Sequence, residues 1–289
     1  VNFGKVLTAM VTPFNDENEL DLNRTEKLVE HLLENGSDGL VVAGTTGESP
    51  TLSYDEKKQL FSKVVDVVNG RVPVIAGTGS NHTNGSISIT KMAEETGVDG
   101  IMLVSPYYNK PDQRGLYAHF KTVAESTKLP VMLYNIPGRS AVNMDVETIV
   151  KLSEVPNIVA VKEASGDLDA MAEIIESTPE DFDLYSGDDG LTLPVMAIGG
   201  TGIVSVASHV IGNEMQEMLK LFESGKIQEA AKLHRKLLPV MKGMFMAPSP
   251  SPVKAALNLK GIETGGVRLP LLPLKDEQKN QIKSLLERV

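Results

Sequence analysis

Short apolar runs, each followed by a loop and an amphipathic stretch, recur eight times along this chain. That alternation restricts the fold more than any other feature. The runs are Lys5 to Val11, Gly39 to Val42, Val72 to Ala76, Gly100 to Ser105, Pro130 to Tyr134, Ile158 to Lys162, Phe182 to Tyr185 and Gly202 to Ala207. They begin roughly 20 to 33 residues apart. A short continuous apolar run reads as a strand buried on both faces, as in a parallel sheet. The intervening stretches carry helix signals. Asp21 is an N-cap for Leu22 to Glu34, Gly36 its C′ glycine, and Ser53 with Glu56 a capping box for a helix to Gly70. Further helices are expected up to Gly97, from Gln113 to Ser126 and from a cap at Asp145. Eight such units predict an α/β fold, a (β/α)8 TIM barrel. The alternative is an open doubly wound sheet, which usually has fewer strands and a reversal point. After Gly212 no strand signal remains. Residues 213–289 read as helices broken at Pro239, at Pro248 to Pro252 and at Pro270 to Pro273. The expected organisation is a catalytic barrel over 1–224 and a C-terminal helical appendage, 225–289, packed on it.

Bulk properties remove several classes of function. The net charge of -10 argues against nucleic acid or an anionic membrane as partner. An anionic substrate would have to be met by local cations or backbone N–H groups. The absence of cysteine excludes disulfides and thiolate metal sites and fits a reducing compartment. No apolar run approaches the roughly 18 residues that span a bilayer. The first residues lack a signal-peptide pattern, so a cytoplasmic location is expected. The histidines at 31, 82, 119, 209 and 234 have no metal-ligand spacing, and no metal is expected. Gly77-Thr-Gly79 begins like a dinucleotide loop but places His82 where the third glycine belongs.

Active sites of such barrels lie at the C-terminal ends of the strands. The unusual residues fall there repeatedly: Thr45 and Thr46 after the second strand, Tyr107 and Tyr108 after the fourth, Tyr134 and Arg139 at and after the fifth, Lys162 at the sixth and Gly187 after the seventh. A buried lysine pays for the loss of water by shedding its proton, and the neutral amine is a nucleophile. The plain alternative is a lysine snorkelling to water or paired with a carboxylate. Arg139 has the planar fork that holds a carboxylate, or is a solvated loop residue. Tyr134 is either a proton shuttle or a core tyrosine.

Four segments carry a resemblance: Gly44-Thr-Thr-Gly-Glu48, Pro106-Tyr-Tyr-Asn109, Tyr134-Asn-Ile-Pro-Gly-Arg139 and Val161-Lys-Glu-Ala164. Together they make nearly the whole chain similar to the dihydrodipicolinate synthases, also called 4-hydroxy-tetrahydrodipicolinate synthases. The resemblance implies a cofactor-free lyase of lysine and diaminopimelate biosynthesis that condenses pyruvate with L-aspartate 4-semialdehyde. It implies Lys162 as the Schiff-base lysine, Tyr134 as general acid and base, and Thr45 as a link to Tyr108 of a neighbouring subunit. Thr46 would hold the pyruvate carboxylate, Arg139 that of the semialdehyde, and Gly187 and Val204 would give backbone contacts near the imine. A homotetramer, a dimer of dimers, or a homodimer is implied. Competing readings are a pyruvate-dependent sugar-acid aldolase such as N-acetylneuraminate lyase, which typically has Ser in place of Thr46 and lacks Arg139, and a barrel that only binds a keto acid. Regulated relatives bind L-lysine between subunits. At that site Ser49, Asn81 and Tyr107 keep the family identities, but Tyr54 and Lys57 replace histidines and Gly85 replaces a glutamate. Weak or absent lysine inhibition is therefore expected.

Overall fold

The computed structural model describes residues 2–289. The eight runs form strands β1 (Val6–Ala9), β2 (Gly39–Val42), β3 (Val74–Gly77), β4 (Gly100–Val104), β5 (Val131–Asn135), β6 (Ile158–Glu163), β7 (Asp183–Ser186) and β8 (Gly202–Ser205). All pair in parallel and in chain order, and Val6 pairs with Ile203 to close the barrel. This is the predicted TIM barrel. Closure satisfies both edges of the sheet, so no strand is left with unpaired backbone.

Side chains alternate across each strand. One set fills the barrel interior: Leu7, Val41, Ile75, Met102, Met132, Ala160 and Val204, with Phe3 and Tyr185 among them. The other set, including Leu40, Val74, Leu103, Leu133 and Val161, packs against the helices. This alternation aims the functional residues. Tyr134 lies two positions beyond Met132 and Lys162 two beyond Ala160, so both continue the inward-facing set at the C-terminal end. Tyr134 and Lys162 are also register partners on neighbouring strands.

The helices are α1 (Leu22–Glu34), α2 (Tyr54–Val68), α3 (Thr83–Glu95), α4 (Gln113–Ala124), α5 (Pro137–Ser140), α6 (Val146–Ser153), α7 (Leu168–Ser177), α8 (Thr192–Ala197), α9 (Ser208–Glu223), α10 (Ile227–Gly243), α11 (Ser251–Leu259) and α12 (Asp276–Leu286). The caps expected at Asp21 and Ser53 are present, whereas Asp145 precedes α6 without a side-chain cap hydrogen bond. The Asp21 carboxylate accepts from the N–H groups of Asn23 and Arg24, and Ser53 with Glu56 closes a reciprocal capping box. Two expectations are corrected and one element is added. Pro239 lies inside α10 and does not break it, because Pro239 and the residue four before it, Arg235, are exposed and water can take the freed carbonyl. The loop after β5 contains the short helix α5, opened by Pro137 at its first turn. Helix α9 begins at Ser208, before the expected start near 213, and kinks at Ile211.

The C-terminal helices share the barrel's outer core. Leu237, Val240, Met241, Val253, Leu257 and Ile282 belong to the same apolar cluster as the helix-facing strand residues. Helix α10 packs along α9 and over the turn that follows β7. No helix among the described residues is long and apolar enough to cross a membrane.

Candidate active site

Lys162 is 5% exposed, and its Nζ lies 4.1 Å from the centroid of the Tyr134 ring. Burial lowers its pKa to about 7; the Asp189 carboxylate opposes that shift and the Arg139 charge adds to it. A large share of the amine is therefore neutral near neutral pH. Tyr134 is also buried. Burial pushes its phenol up to about 12, against the opposing charge of Arg139 and a hydrogen bond with Thr45. The phenol keeps its proton through the neutral range and can donate it.

Gly187 provides the space beside the amine. A Cβ there would stand 2.5 Å from the Ala164 Cβ and 3.2 Å from the Lys162 Cε. Its N–H donates to the Glu163 carbonyl at 2.7 Å, which holds the β7 loop against β6.

The Gly44 to Glu48 turn lies across the barrel mouth. It is bracketed by Ala43 and Glu48, non-glycine residues in the left-handed region at φ 53° and 57°. Such conformations persist only where surroundings enforce them. Thr12 Oγ1 donates to the Gly47 carbonyl at 2.6 Å, and Glu48 N–H donates to the Thr45 carbonyl at 3.1 Å. Among the described residues, no internal hydrogen bond uses the N–H groups of Thr45, Thr46 or Gly47. Three free donors on a turn can receive a carboxylate. The glycines of Gly77-Thr-Gly79 serve close packing. A Cβ on Gly77 would stand 2.5 Å from the Ala43 carbonyl oxygen, and one on Gly79 would stand 2.4 Å from the Val104 nitrogen.

Arg139 rides on α5 and is exposed. Its loop is clipped to the lysine strand: Asn135 Nδ2 donates to the Glu163 carboxylate at 2.9 Å and to Asn143 Oδ1 at 2.8 Å. Arg139 lines both openings of the site. One is a cleft of about 250 Å³ shared with Thr45, Met102, Val104, Tyr107 and Tyr134. The other opens beneath α10, beside Gly187, Asp188, Leu238 and Met241.

The fold thus brings Lys162, Tyr134, Thr45, Arg139 and Gly187 together at one mouth. Thr46 is buried in the turn beside them, and Val204 is buried in the barrel interior. Tyr108 does not join them within the chain. It is 90% exposed, sits at φ 71° and does not line the cleft. Ser49, Lys57 and Tyr107 line the same cleft. Asn81 Nδ2 donates to the Tyr107 carbonyl at 3.1 Å, Tyr54 is half exposed, and Gly85 packs by His82.

Sequence reasoning missed Asp189. It is 2% exposed and accepts from Ser205 Oγ and from the N–H groups of Val206 and Ala207 at 3.2 and 2.9 Å. Burial raises its pKa to about 6, against those hydrogen bonds. Its carboxylate is the anion that favours the charged form of Lys162. The only signal was an acidic pair after the seventh strand, which reads equally well as a solvated turn.

A (β/α)8 barrel with a buried, partly neutral lysine on its sixth strand, faced by a protonated phenol, has the architecture of a Schiff-base-forming lyase. Residues 2–289 match the dihydrodipicolinate synthetase family, and the chain belongs to that family. It is 63% identical over 283 residues to 4-hydroxy-tetrahydrodipicolinate synthase 1 of Halalkalibacterium halodurans, covering 98% of this chain and 96% of the relative. A crystal structure of dihydrodipicolinate synthase from Bacillus anthracis superposes with a TM-score of 0.99 at 59% identity, covering 100% of this chain and 99% of that one. A DHDPS from Cyanidioschyzon merolae with lysine bound superposes with a TM-score of 0.97 at 48% identity, covering 99% and 98%.

Proposed function

We propose that this chain is a 4-hydroxy-tetrahydrodipicolinate synthase, condensing pyruvate with L-aspartate 4-semialdehyde. The carrying observation is the buried Lys162 against Tyr134, with its pKa lowered to about 7. The Lys162 amine attacks the ketone carbon of pyruvate and water leaves, giving an iminium. Loss of a methyl proton gives an enamine, whose carbon attacks the aldehyde of the second substrate. The substrate's own amine then attacks the imine carbon, closes the ring and frees Lys162. The iminium is the electron sink, so the chemistry requires no cofactor. Tyr134 moves protons for these steps. The free N–H groups of the Thr45–Thr46 turn and the Thr46 hydroxyl receive the pyruvate carboxylate. Arg139 receives the semialdehyde carboxylate, and Gly187 and Val204 bound the imine.

Tyr108 completes the site from a neighbouring copy, reaching Thr45 as the outer member of a proton relay. Its near-complete exposure and left-handed backbone fit a residue held for a partner rather than for its own chain. A homodimer is the minimum assembly, a homotetramer the fuller one, in the cytoplasm. Residues 1–224 form the catalytic barrel and 225–289 the appendage.

The reaction is tested with pyruvate and three aldehydes: aspartate semialdehyde, N-acetylmannosamine and glyceraldehyde. Pyruvate loss with aspartate semialdehyde alone is expected. Loss with N-acetylmannosamine would move the chain to the sugar-acid aldolases, and no loss with any of the three would leave a keto-acid-binding barrel.

The rate of imine formation with pyruvate follows the neutral fraction of Lys162. It rises with pH through about 7 and then levels. A stopped-flow rate still climbing at the ordinary lysine pKa of about 10.4 would show an unperturbed amine.

Inhibition by L-lysine is expected to be weak or absent. Lys57 places an ammonium at the cleft that Ser49 and Tyr107 line, and no carboxylate stands at Gly85. Two ammonium groups at about 4 Å repel by about 4 kcal/mol at an effective dielectric of 20. An inhibition constant well below millimolar would contradict this.

A further inference from the structure

Two positions after Thr46, the Glu48 side chain stays out of the cleft lining and is 2% exposed. It is met by two groups from the C-terminal segment. Lys254 of α11, also 2% exposed, places Nζ 3.0 Å from Glu48 Oε1. This is an ion pair without the alignment of a good hydrogen bond, and that oxygen has no other donor. The Arg268 backbone N–H donates to Glu48 Oε2 at 2.9 Å.

Each clamping residue is itself held. Lys254 Nζ donates to the Gly266 carbonyl at 2.6 Å and lies 4.1 Å from the Phe14 ring centroid. The Arg268 guanidinium forks onto Glu56, donates to the carbonyls of Thr51 and Asn18 at 2.8 Å, and lies over the Phe14 ring at 4.3 Å from its centroid. Gly265 is pressed onto the chain at Phe14. Its φ is +69°, and a Cβ there would stand 2.1 Å from the Phe14 carbonyl oxygen. The segment after α11 is thus a strap drawn tight across the base of the Gly44 to Glu48 turn.

A buried ion pair is a poor way to gain stability, because apolar side chains of similar volume do as well or better. Its distinctive property is that two charges and their hydrogen bonds fit in one arrangement. The turn it holds needs one: Glu48 is a non-glycine residue at φ 57°, and the N–H groups of Thr45, Thr46 and Gly47 are left free by that shape.

We propose that Glu48, clamped by Lys254 and Arg268, is a positioning residue that fixes the Thr45–Thr46 turn in the form that receives the pyruvate carboxylate. The inference rests on the function proposed above. It makes the C-terminal segment part of the site, although neither Lys254 nor Arg268 lines the cleft.

The test compares unmutated protein with Glu48→Gln, Lys254→Met and the double variant. Three quantities are read: pyruvate KM, semialdehyde KM, and the pyruvate concentration giving half-maximal borohydride-trapped adduct. Glu48→Gln is expected to raise both pyruvate parameters by on the order of 10- to 100-fold, the cost of a turn displaced by about 1 Å. The semialdehyde KM stays near that of the unmutated protein, while the melting temperature falls, because the buried Lys254 ammonium loses its partner. Lys254→Met, which strands the carboxylate, shifts the pyruvate parameters further, and the double variant recovers part of that loss. Arg268→Lys, which keeps the charge and loses the fork, gives a smaller shift of the same kind and serves if Glu48→Gln does not fold. A folded Glu48→Gln with unchanged pyruvate dependence overturns the proposal. So does an equal rise in both KM values tracking a fall in melting temperature. No adduct in the unmutated protein would instead overturn the Schiff-base reading beneath it.

Discussion

Lys162→Ala is expected to lower condensation by about 10⁴-fold or more while the protein stays folded, because no other group can supply the nucleophile. Among described residues, the other buried lysine is Lys254, which is engaged by Glu48 and Gly266 away from the cleft. The fold does not depend on the Lys162 amine. Its aliphatic stem is one member of an apolar layer, and keeping it dry costs the protein its proton. Truncation should therefore leave the melting temperature unchanged or higher, since the penalty for burying an ionisable group disappears with it. Initial rates of pyruvate consumption and a thermal melt on the same sample check both halves. Activity within about 10-fold of the unmutated protein would show that the reaction does not run through this residue.

Tyr134→Phe carries the second large effect, a loss of about 10²- to 10⁴-fold in kcat. The substitution keeps the ring that faces the lysine and removes only the hydroxyl. Burial holds that hydroxyl protonated, and Thr45 beside it opposes the shift only in part. The deficit should fall on kcat, because the phenol moves protons during imine formation and condensation and holds neither substrate carboxylate. A pyruvate KM raised with kcat intact would assign Tyr134 to binding. The same ring presents its face to Nζ, so Tyr134→Leu is expected to disturb the lysine as well and to cost more than Tyr134→Phe.

The barrel was legible because its signal is periodic. Eight apolar runs separated by capped helices leave little else for the chain to be, and capping residues such as Asp21 and Ser53 act locally, as read. One correction turns on solvent exposure, which sequence does not show. Pro239 reads as a helix break, but on an exposed face of α10 water can take the carbonyl that its missing N–H leaves free. Lys162, Tyr134 and Arg139 were legible because each lies at a strand end or in the loop after it, and the barrel turns that position into a direction in space.

The rest of the site depends on contacts between distant parts of the chain. Glu48 reads as one more acidic residue in a polar loop. Its partner Arg268 lies 220 positions later, and only the folded strap brings them together. Asp189 reads as half of an exposed acidic pair, but the end of β8 and the turn leading into α9 hold it beneath three donors. Tyr108, proposed above to complete the site from a second copy, shows the same limit from the other side: within one chain it is 90% exposed.

Lys162 is expected to form an imine with pyruvate. The most direct test is borohydride reduction in the presence of pyruvate alone, followed by peptide mapping. The expected result is one reduced pyruvyl adduct, on the peptide carrying Lys162, formed faster as pH rises through about 7. No adduct, or one spread over the surface lysines, would contradict the account.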